Sequence, residues 1–212
     1  MQITNLSIQV KNPDRVNVYI DSIYSFSLSI NQVVELGIKI NQEIDENDIY
    51  SYKSQSELGK YYIKTYKYCL VRPRSTYEVQ LYLKKKNISE EFIDHIVNKL
   101  TKNKILDDLK FCEWWISNRN VKKGSSLLQI KSELKKKGLA NSLIEEVLEK
   151  SDRHDSVEII KIYNRKKNKY DSEKMKSYLA SKGFKYADIV DVLTQASVDS
   201  GDEDVAKGLM KT

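Results

Sequence analysis

The stretch "KSELKKKGLANSLIEEVL" (Lys131–Leu148) decides the fold, because the chain repeats its pattern on either side. Residues 79–97 read "VQLYLKKKNISEEFIDHIV", and residues 175–193 read "MKSYLASKGFKYADIVDVL". The three copies align when Leu83, Leu134 and Leu179 are superimposed. Recurrence at intervals of 51 and 45 residues is typical of tandem helical repeats, in which each unit packs against its neighbours.

Each copy contains the signals that end a helix. Three sets of residues coincide in the alignment: Lys86, Lys137 and Lys182, then Asn87, Gly138 and Gly183, then Ile88, Leu139 and Phe184. A cation in the last turn offsets the partial negative charge of the exposed carbonyls. Gly or Asn then adopts the left-handed conformation, and the apolar residue folds back onto the last turn. The "LKKK" runs therefore indicate helix ends.

The start of the same helix aligns as well. Ser75, Ser126 and Asp171 each stand eight residues before the shared leucine, and all three are good N-cap residues. Ser75 and Glu78 have the spacing of a capping box. A second helix follows each stop, and another, at about 59–71, 108–119 and 154–165, precedes each cap.

These patterns predict a mainly α fold of three tandem three-helix repeats in an elongated, curved array. We place repeats at residues 59–107, 108–153 and 154–197, and a short mobile tail at 198–212. Residues 1–58 predict a small α/β module with a three-stranded β-meander over 3–28 and a short helix from Ser29 to Gly37. The polar stretch 51–60 fits either a hinge or a helix that continues into the first repeat.

Charge is unevenly distributed along the chain. Residues 1–60 hold 5 basic and 8 acidic side chains, whereas residues 61–197 hold 29 and 18, a net charge of +11. A basic body favours an anionic partner such as nucleic acid or a nucleoprotein, and a lysine-rich proteome is the alternative explanation. No apolar run reaches the roughly 18 residues that a membrane span needs, so we expect no membrane contact. The two widely spaced cysteines favour a reduced cytoplasmic chain, and we expect a monomer.

The sequence contains no constellation of residues that predicts catalysis. The two histidines have no metal-ligand spacing to other donors, and no glycine-rich phosphate loop or nucleophile motif is present. Cys69 and Cys112 fall on apolar helix faces and predict buried, reduced thiols. We expect no catalytic residue, metal or cofactor. Trp115 is predicted to lie in the core, and Arg119 either to extend along the apolar surface with its charge in solvent or to pair with a neighbouring helix.

Basic residues recur at corresponding points of the repeats, mainly in the loops between the first and second helices and where the second helix ends. The candidate partner-binding or DNA-binding residues are Arg72, Arg74, Lys84, Lys85, Arg119, Lys122, Lys123, Lys135, Lys136, Arg165, Lys166, Lys167 and Lys169. Charge that recurs at matching loops suits a periodic anionic partner, although solvated loop lysines are the plainer explanation.

Two segments resemble the RecX family, bacterial regulators of the RecA recombinase. The resemblance rests on "CLVRPRSTYEVQLYLKKKNI" and "ILDDLKFCEWWISNRNVKKGSSLLQIKSELKKKGL", which carry Arg72-Pro73-Arg74-Ser75, Leu106-Asp107-Asp108, Phe111-Cys112, Trp115, Arg119, Gly124, Glu133-Leu134 and Lys137-Gly138-Leu139. It covers residues 60–150 well and 151–197 loosely, and Cys112 replaces the small residue usual in the family. The N-terminal module, with "YIDSIYSFSLS", is similar to an extension that some members carry.

The resemblance implies a fold of tandem three-helix repeats and a non-enzymatic role in DNA repair, recombination and the SOS response. RecX-like proteins bind the RecA–DNA filament in its helical groove, modulate or inhibit its recombinase and coprotease activities, and in some cases contact single- or double-stranded DNA. Two alternatives stay open. One is a nucleic-acid-binding repeat module that acts without RecA, and the other is a helical scaffold for a different protein.

Overall fold

A computed structural model describes residues 1–199, which form three strands followed by ten helices. The strands are β1 (Ile3–Gln9), β2 (Asn12–Ile20) and β3 (Ile23–Ser29), paired antiparallel in the order β1-β2-β3. Asp21 and Ser22 both have positive φ, which gives the tight turn between β2 and β3. The predicted β-meander is confirmed.

The N-terminal core lies between this sheet and the first two helices. Apolar residues on one face of the sheet are buried together with residues from the segment that follows: Ile3, Val18, Ile20, Phe26, Leu28, Ile38, Ile44 and Tyr52. Arg15 is also buried, and its guanidinium donates hydrogen bonds to Ser27 and to the Ser56 hydroxyl. These contacts join the sheet to the second helix.

Two helices follow the sheet, each with a side-chain cap at its start. Helix α1 (Ile30–Glu35) begins at a capping box formed by Ser29, and α2 (Glu46–Leu70) begins at another formed by Asp45. Helix α2 is continuous through residues 51–60, so the structure favours the helical interpretation of that stretch. The predicted boundary between residues 58 and 59 therefore lies inside a helix.

The remaining helices complete three triplets. The first combines α2 with α3 (Thr76–Lys84) and α4 (Glu90–Lys102). The second consists of α5 (Asp108–Asn118), α6 (Leu127–Lys136) and α7 (Asn141–Glu149), and the third of α8 (Asp155–Lys166), α9 (Ser172–Ser181) and α10 (Tyr186–Asp199). The mainly α fold with tandem three-helix segments is confirmed.

The predicted caps and stops lie where the sequence placed them. The side chains of Ser75, Ser126 and Asp171 each accept a hydrogen bond from the backbone N–H three residues later. The stop residues Asn87, Gly138 and Gly183 have φ values of 56°, 80° and 83°.

The chain divides into two compact units. The first comprises Met1–Arg72 and Tyr82–Ile105, and the second comprises Pro73–Leu81 and the described residues from Leu106 onward. The border crosses α3 and does not follow the repeats, so the predicted division into a module and three repeats stays a prediction. The predicted tail, 198–212, begins inside α10, and residues 200–212 lie outside the described residues.

The second unit contains two apolar cores built from the α5–α7 and α8–α10 triplets. In the first, Phe111, Cys112 and Ile116 of α5 pack against Ile130 and Leu134 of α6 and against α7. In the second, Ile159, Ile162, Met175, Leu179, Phe184, Ile189 and Leu193 are buried together. In both triplets the shared leucine of the sequence repeat is buried at the centre.

Candidate partner-binding surface

Within the second unit, two equivalent hydrogen bonds attach the start of one second helix to the end of the next. The Ser75 hydroxyl, at the start of α3, donates to the Lys137 carbonyl at the end of α6, with an O–O distance of 2.7 Å. The Ser126 hydroxyl, at the start of α6, donates to the Lys182 carbonyl at the end of α9 at 2.6 Å. Both serines are fully buried. Each N-cap therefore also bonds the second helix of the next triplet.

A carboxylate completes each of these junctions. The backbone N–H of Thr76 donates to Asp108 Oδ1, and that of Leu127 donates to Asp155 Oδ1, both at 2.8 Å. Asp108 and Asp155 are the first residues of α5 and α8. Burial raises the pKa of Asp155, and the hydrogen bond from Leu127 partly offsets this effect. Because both junctions use the same atoms, the starts of α3 and α6 are attached in the same way to the triplets that follow them.

Lysines of the second triplet are exposed at two places. Lys122 and Lys123 lie in the loop between α5 and α6, and Lys135 and Lys136 lie in the last turn of α6. Within residues 1–196, none of these four ammonium groups forms an ion pair. They are therefore available to an anionic partner.

The candidate residues around α3 have varied surroundings. Arg72 and Arg74 are half-buried in the segment that connects α2 to α3. Lys85 is exposed, and Lys84 forms an exposed salt bridge with Glu90 at 2.9 Å. Exposed pairs of this kind contribute little to stability, so a partner can compete for Lys84.

Arg119 pairs with a neighbouring helix, one of the two outcomes that the sequence indicated, although its side chain is 39% exposed. It ends α5 and binds Glu133 of α6 through two hydrogen bonds, Nε to Oε2 at 2.7 Å and Nη2 to Oε1 at 3.0 Å. Trp115 Nε1 donates to the same carboxylate at 3.1 Å, and the guanidinium carbon lies 5.4 Å from the Trp115 ring centroid. Trp115 is half-buried at the rim of the core, so its predicted place within the core is wrong. The indole N–H needs a polar partner, which keeps the ring at the edge.

Lys137 extends this network towards α3. Its ammonium group pairs with Glu78 and lies 4.9 Å from the Trp115 ring centroid. Burial opposes ionisation of Glu133, but the hydrogen bonds from Arg119 and Trp115 hold its pKa below the usual value. Arg119 and Lys137 are therefore both balanced by carboxylates.

The candidate residues of the third triplet surround tyrosines. Lys166 Nζ lies 4.5 Å from the Tyr170 ring centroid and 4.7 Å from that of Tyr178. Lys167 lies 5.9 Å from the ring of Tyr163, whereas Arg165 and Lys169 are exposed. The sequence predicted these cations but not their aromatic neighbours.

Other features of the described chain bear on the sequence predictions. Both cysteines are buried and neither is in a disulfide, as predicted, and burial raises the pKa of Cys112 to about 11. Among the described residues, no group of three or more His, Cys, Asp or Glu side chains is placed to hold a metal ion. None of the helices described here has the length and apolar character needed to cross a membrane.

Contacts between side chains on separate helices were not predicted from the sequence. Glu133, Lys137 and Tyr178 are separated in the chain from residues that they contact, whereas Tyr170 stands only four residues from Lys166 and Lys174. The repeat alignment itself carried a signal, because Arg119 and Lys166 both stand eleven residues after the first-helix aspartates Asp108 and Asp155. That spacing indicates that they occupy equivalent places.

Comparison with known proteins identifies the family. Three models of the family match the chain: the regulatory protein RecX N-terminal domain at residues 1–45, the first RecX three-helix domain at 62–100 and the second at 107–148. The regulatory protein RecX of Bacillus pumilus is 32% identical over 95% of this chain and 80% of its own length. That of Clostridium acetobutylicum is 31% identical over 91% of this chain and 95% of its own.

Solved structures agree with this match. A crystal structure of regulatory protein RecX has 23% identity and a TM-score of 0.71, covering 90% of this chain and 98% of that one. The crystal structure of RecX from Lactobacillus salivarius has 25% identity and a TM-score of 0.55, covering 66% of this chain and 97% of that one. The chain belongs to the RecX family of regulatory proteins.

Proposed function

We propose that this protein binds the RecA–DNA filament and inhibits its recombinase and coprotease activities. The observation that carries the proposal is the repeated junction, Ser75 to Lys137 and Ser126 to Lys182, which attaches the starts of α3 and α6 in the same way to the triplets that follow them. Outward side chains at matching positions are then spaced regularly along the chain, which suits a partner with a repeating surface. Membership of a family of regulatory proteins supports the same conclusion.

The contact surface that we propose is basic and lies on loops and helix ends. Its main members are the exposed lysines Lys122, Lys123, Lys135 and Lys136, joined by Arg165, Lys167 and Lys169 of the same unit. Lys85 lies in the first unit and is a separate candidate contact. Unpaired lysines on a rigid scaffold attract acidic protein surfaces and phosphates over about one Debye length. Arg119 differs from these lysines, because Glu133 already binds its guanidinium.

Regulation of this kind requires binding alone. We propose that the protein acts in the cytoplasm as a monomer without cofactor or catalytic residue, and that its effect on RecA follows from occupying the filament. Because its cations face an anionic partner, inhibition should weaken as salt concentration rises.

The test follows ATP hydrolysis and strand exchange by RecA on single-stranded DNA while the protein is added. We expect inhibition at or below one molecule per RecA protomer, and no change at that ratio would contradict the proposal. A variant with Lys122, Lys123, Lys135 and Lys136 changed to Glu should need at least about tenfold more protein for the same inhibition.

A matched control separates the surface from net charge. Lys53, Lys60, Lys64 and Lys67 are exposed on α2, and changing all four to Glu alters the net charge equally. We expect this control to inhibit like the unmodified protein. Equal loss in both variants would mean that overall charge, not this surface, governs the effect. Tight binding to DNA alone together with unchanged RecA activity would instead favour the alternative of a nucleic-acid-binding module that acts without RecA.

A further inference from the structure

The second and third triplets have equivalent polar clusters with different charge balance. Arg119 and Lys166 occupy equivalent places after the first helix, and Lys137 and Lys182 both end the second helix. The residue before the shared leucine is Glu133 in the second triplet and Tyr178 in the third. The two clusters therefore differ in which side chains surround equivalent cations.

Two carboxylates of the second triplet's cluster have neutral counterparts in the third. Glu133 binds Arg119, whereas Tyr178 lies beneath Lys166. Glu78 binds Lys137, whereas its counterpart three residues after the next N-cap serine is Gln129. The cluster of the third triplet therefore keeps its cations and replaces its acids with an aromatic ring and an amide.

Three ammonium groups surround two tyrosine rings at this place. Lys166 Nζ lies 4.5 and 4.7 Å from the ring centroids of Tyr170 and Tyr178 and 3.2 Å from the Tyr170 hydroxyl. Lys174 lies 5.1 Å from the Tyr170 centroid, and Lys182 lies 5.4 Å from that of Tyr178. No carboxylate within residues 1–196 forms an ion pair with any of the three lysines.

The two rings form one fixed platform. Their centroids are 5.4 Å apart with an interplanar angle of 63°, and both rings pack against the core of the third triplet while remaining partly exposed. The hydrogen bond from Lys166, with the neighbouring charges of Lys166, Lys174 and Lys169, lowers the pKa of Tyr170. The rings are therefore held in place within a positive electrostatic environment.

Aromatic rings among unpaired cations match the chemistry of single-stranded nucleic acid, whose bases stack on rings while its phosphates meet ammonium groups. We propose that Tyr170 and Tyr178, with Lys166, Lys174 and Lys182, form a stacking site for the bases of single-stranded nucleic acid. A free phosphate or an acidic protein surface would use the lysines without needing the rings. This activity goes beyond the proposed function, because it requires no recombinase.

Binding is tested with the full chain and no RecA, by fluorescence anisotropy of labelled oligonucleotides. The arms are oligo-dT, oligo-U of equal length and an abasic DNA strand with the same number of phosphates. We expect both strands with bases to bind more tightly than the abasic strand, by about 5- to 100-fold per stacked base. Equal binding of oligo-dT and the abasic strand would overturn the stacking site. The ratio of dT to U affinity shows whether DNA or RNA is preferred.

Paired substitutions separate the rings from packing. Tyr170→Leu with Tyr178→Leu removes both π faces but keeps apolar bulk, whereas Tyr170→Phe with Tyr178→Phe keeps the rings. We expect the Leu variant to bind oligo-dT as weakly as the unmodified protein binds the abasic strand, and the Phe variant to retain binding. Circular dichroism verifies that both variants are folded. Equal binding by the Leu and Phe variants would refute the proposal.

A lysine pair tests the phosphate contacts. Changing Lys166 and Lys174 to Ala should reduce the slope of log affinity against log salt by about 1.4, since each phosphate contact on a single strand contributes roughly 0.7. Lys60→Ala with Lys67→Ala, at exposed positions on α2, removes the same charge elsewhere and should leave the slope unchanged. An identical reduction in both pairs would contradict a local site.

Discussion

Replacing Gly138 by Ala tests how closely the end of α6 packs against the start of α3. Gly138 has φ +80°, and a Cβ built there would lie 2.4 Å from Tyr77 Cβ and 2.6 Å from Tyr77 Cγ. The left-handed backbone costs an Ala about 1–2 kcal/mol. Overpacking of a tight contact adds about 1–3 kcal/mol. We therefore expect Gly138→Ala to lower the free energy of unfolding by about 2–5 kcal/mol.

Gly183→Ala is the matched control, because it lies at the equivalent stop of the next triplet. Its φ is +83°, but a Cβ built there would lie 3.2 Å from Ser126 Oγ and 3.3 Å from Leu128 Cδ2, its nearest neighbours. Gly183→Ala carries the same backbone cost and needs only a small shift of those atoms. We expect it to lower the free energy of unfolding by only about 1–2 kcal/mol.

The assay is urea unfolding followed by tryptophan fluorescence. Trp114 and Trp115 are the only tryptophans and pack against the core of the second triplet, so their emission reports on the unit that contains both glycines. Tyr77→Gly removes both clashing atoms, and Tyr77→Ala leaves Cβ in place. In a double-mutant cycle, we expect Gly138→Ala to cost less unfolding free energy in a Tyr77→Gly background, and its full cost to remain in a Tyr77→Ala background. Equal destabilisation by Gly138→Ala and Gly183→Ala would refute this packing.

Three further predictions concern the same unit. Ser126→Ala removes an N-cap and leaves the Lys182 carbonyl without its donor. We therefore expect urea titrations to show that the free energy of unfolding falls by about 2–4 kcal/mol. The control Ser142→Ala, at an exposed position, should cause almost no change. Glu133 has a folded-state pKa below its usual 4.5, so its stabilising contribution is complete above about pH 4.5 and is lost as the pH falls further. When the free energy of unfolding is measured against pH, it should decline less steeply below about pH 4.5 for Glu133→Gln than for the unmodified protein. Because burial raises the pKa of Cys112 to about 11, a Cys69→Ala variant should resist a thiol-specific reagent at pH 8 until urea unfolds it, and rapid labelling of the folded protein would contradict this.

Local signals explain why much of the fold could be predicted from the sequence. A cap such as Ser126 and a stop such as Gly138 act on atoms within a few residues, so their spacing alone located the second helix of each triplet. Helix α2 was harder to delimit, because residues 51–60 are polar and lack a cap or a breaker that would end a helix.

The partner-binding surface was less predictable, because its contacts join residues far apart in the chain. The sequence offered Arg119 as a binding cation, but only the packing of α5 against α6 places Glu133 across from it. In the third triplet, Lys166 meets Tyr178 of the next helix, a pairing that no helical period predicts. Whether a lysine is available or paired is thus decided by tertiary contacts.

The most direct test of the central claim is a map of hydrogen exchange in this protein bound to RecA filaments on single-stranded DNA. The account predicts slower exchange on binding in the loops 119–126 and 167–171 and at the end of α6, with α2 unchanged. Absence of binding, or protection confined to α2 and the β-sheet, would contradict it.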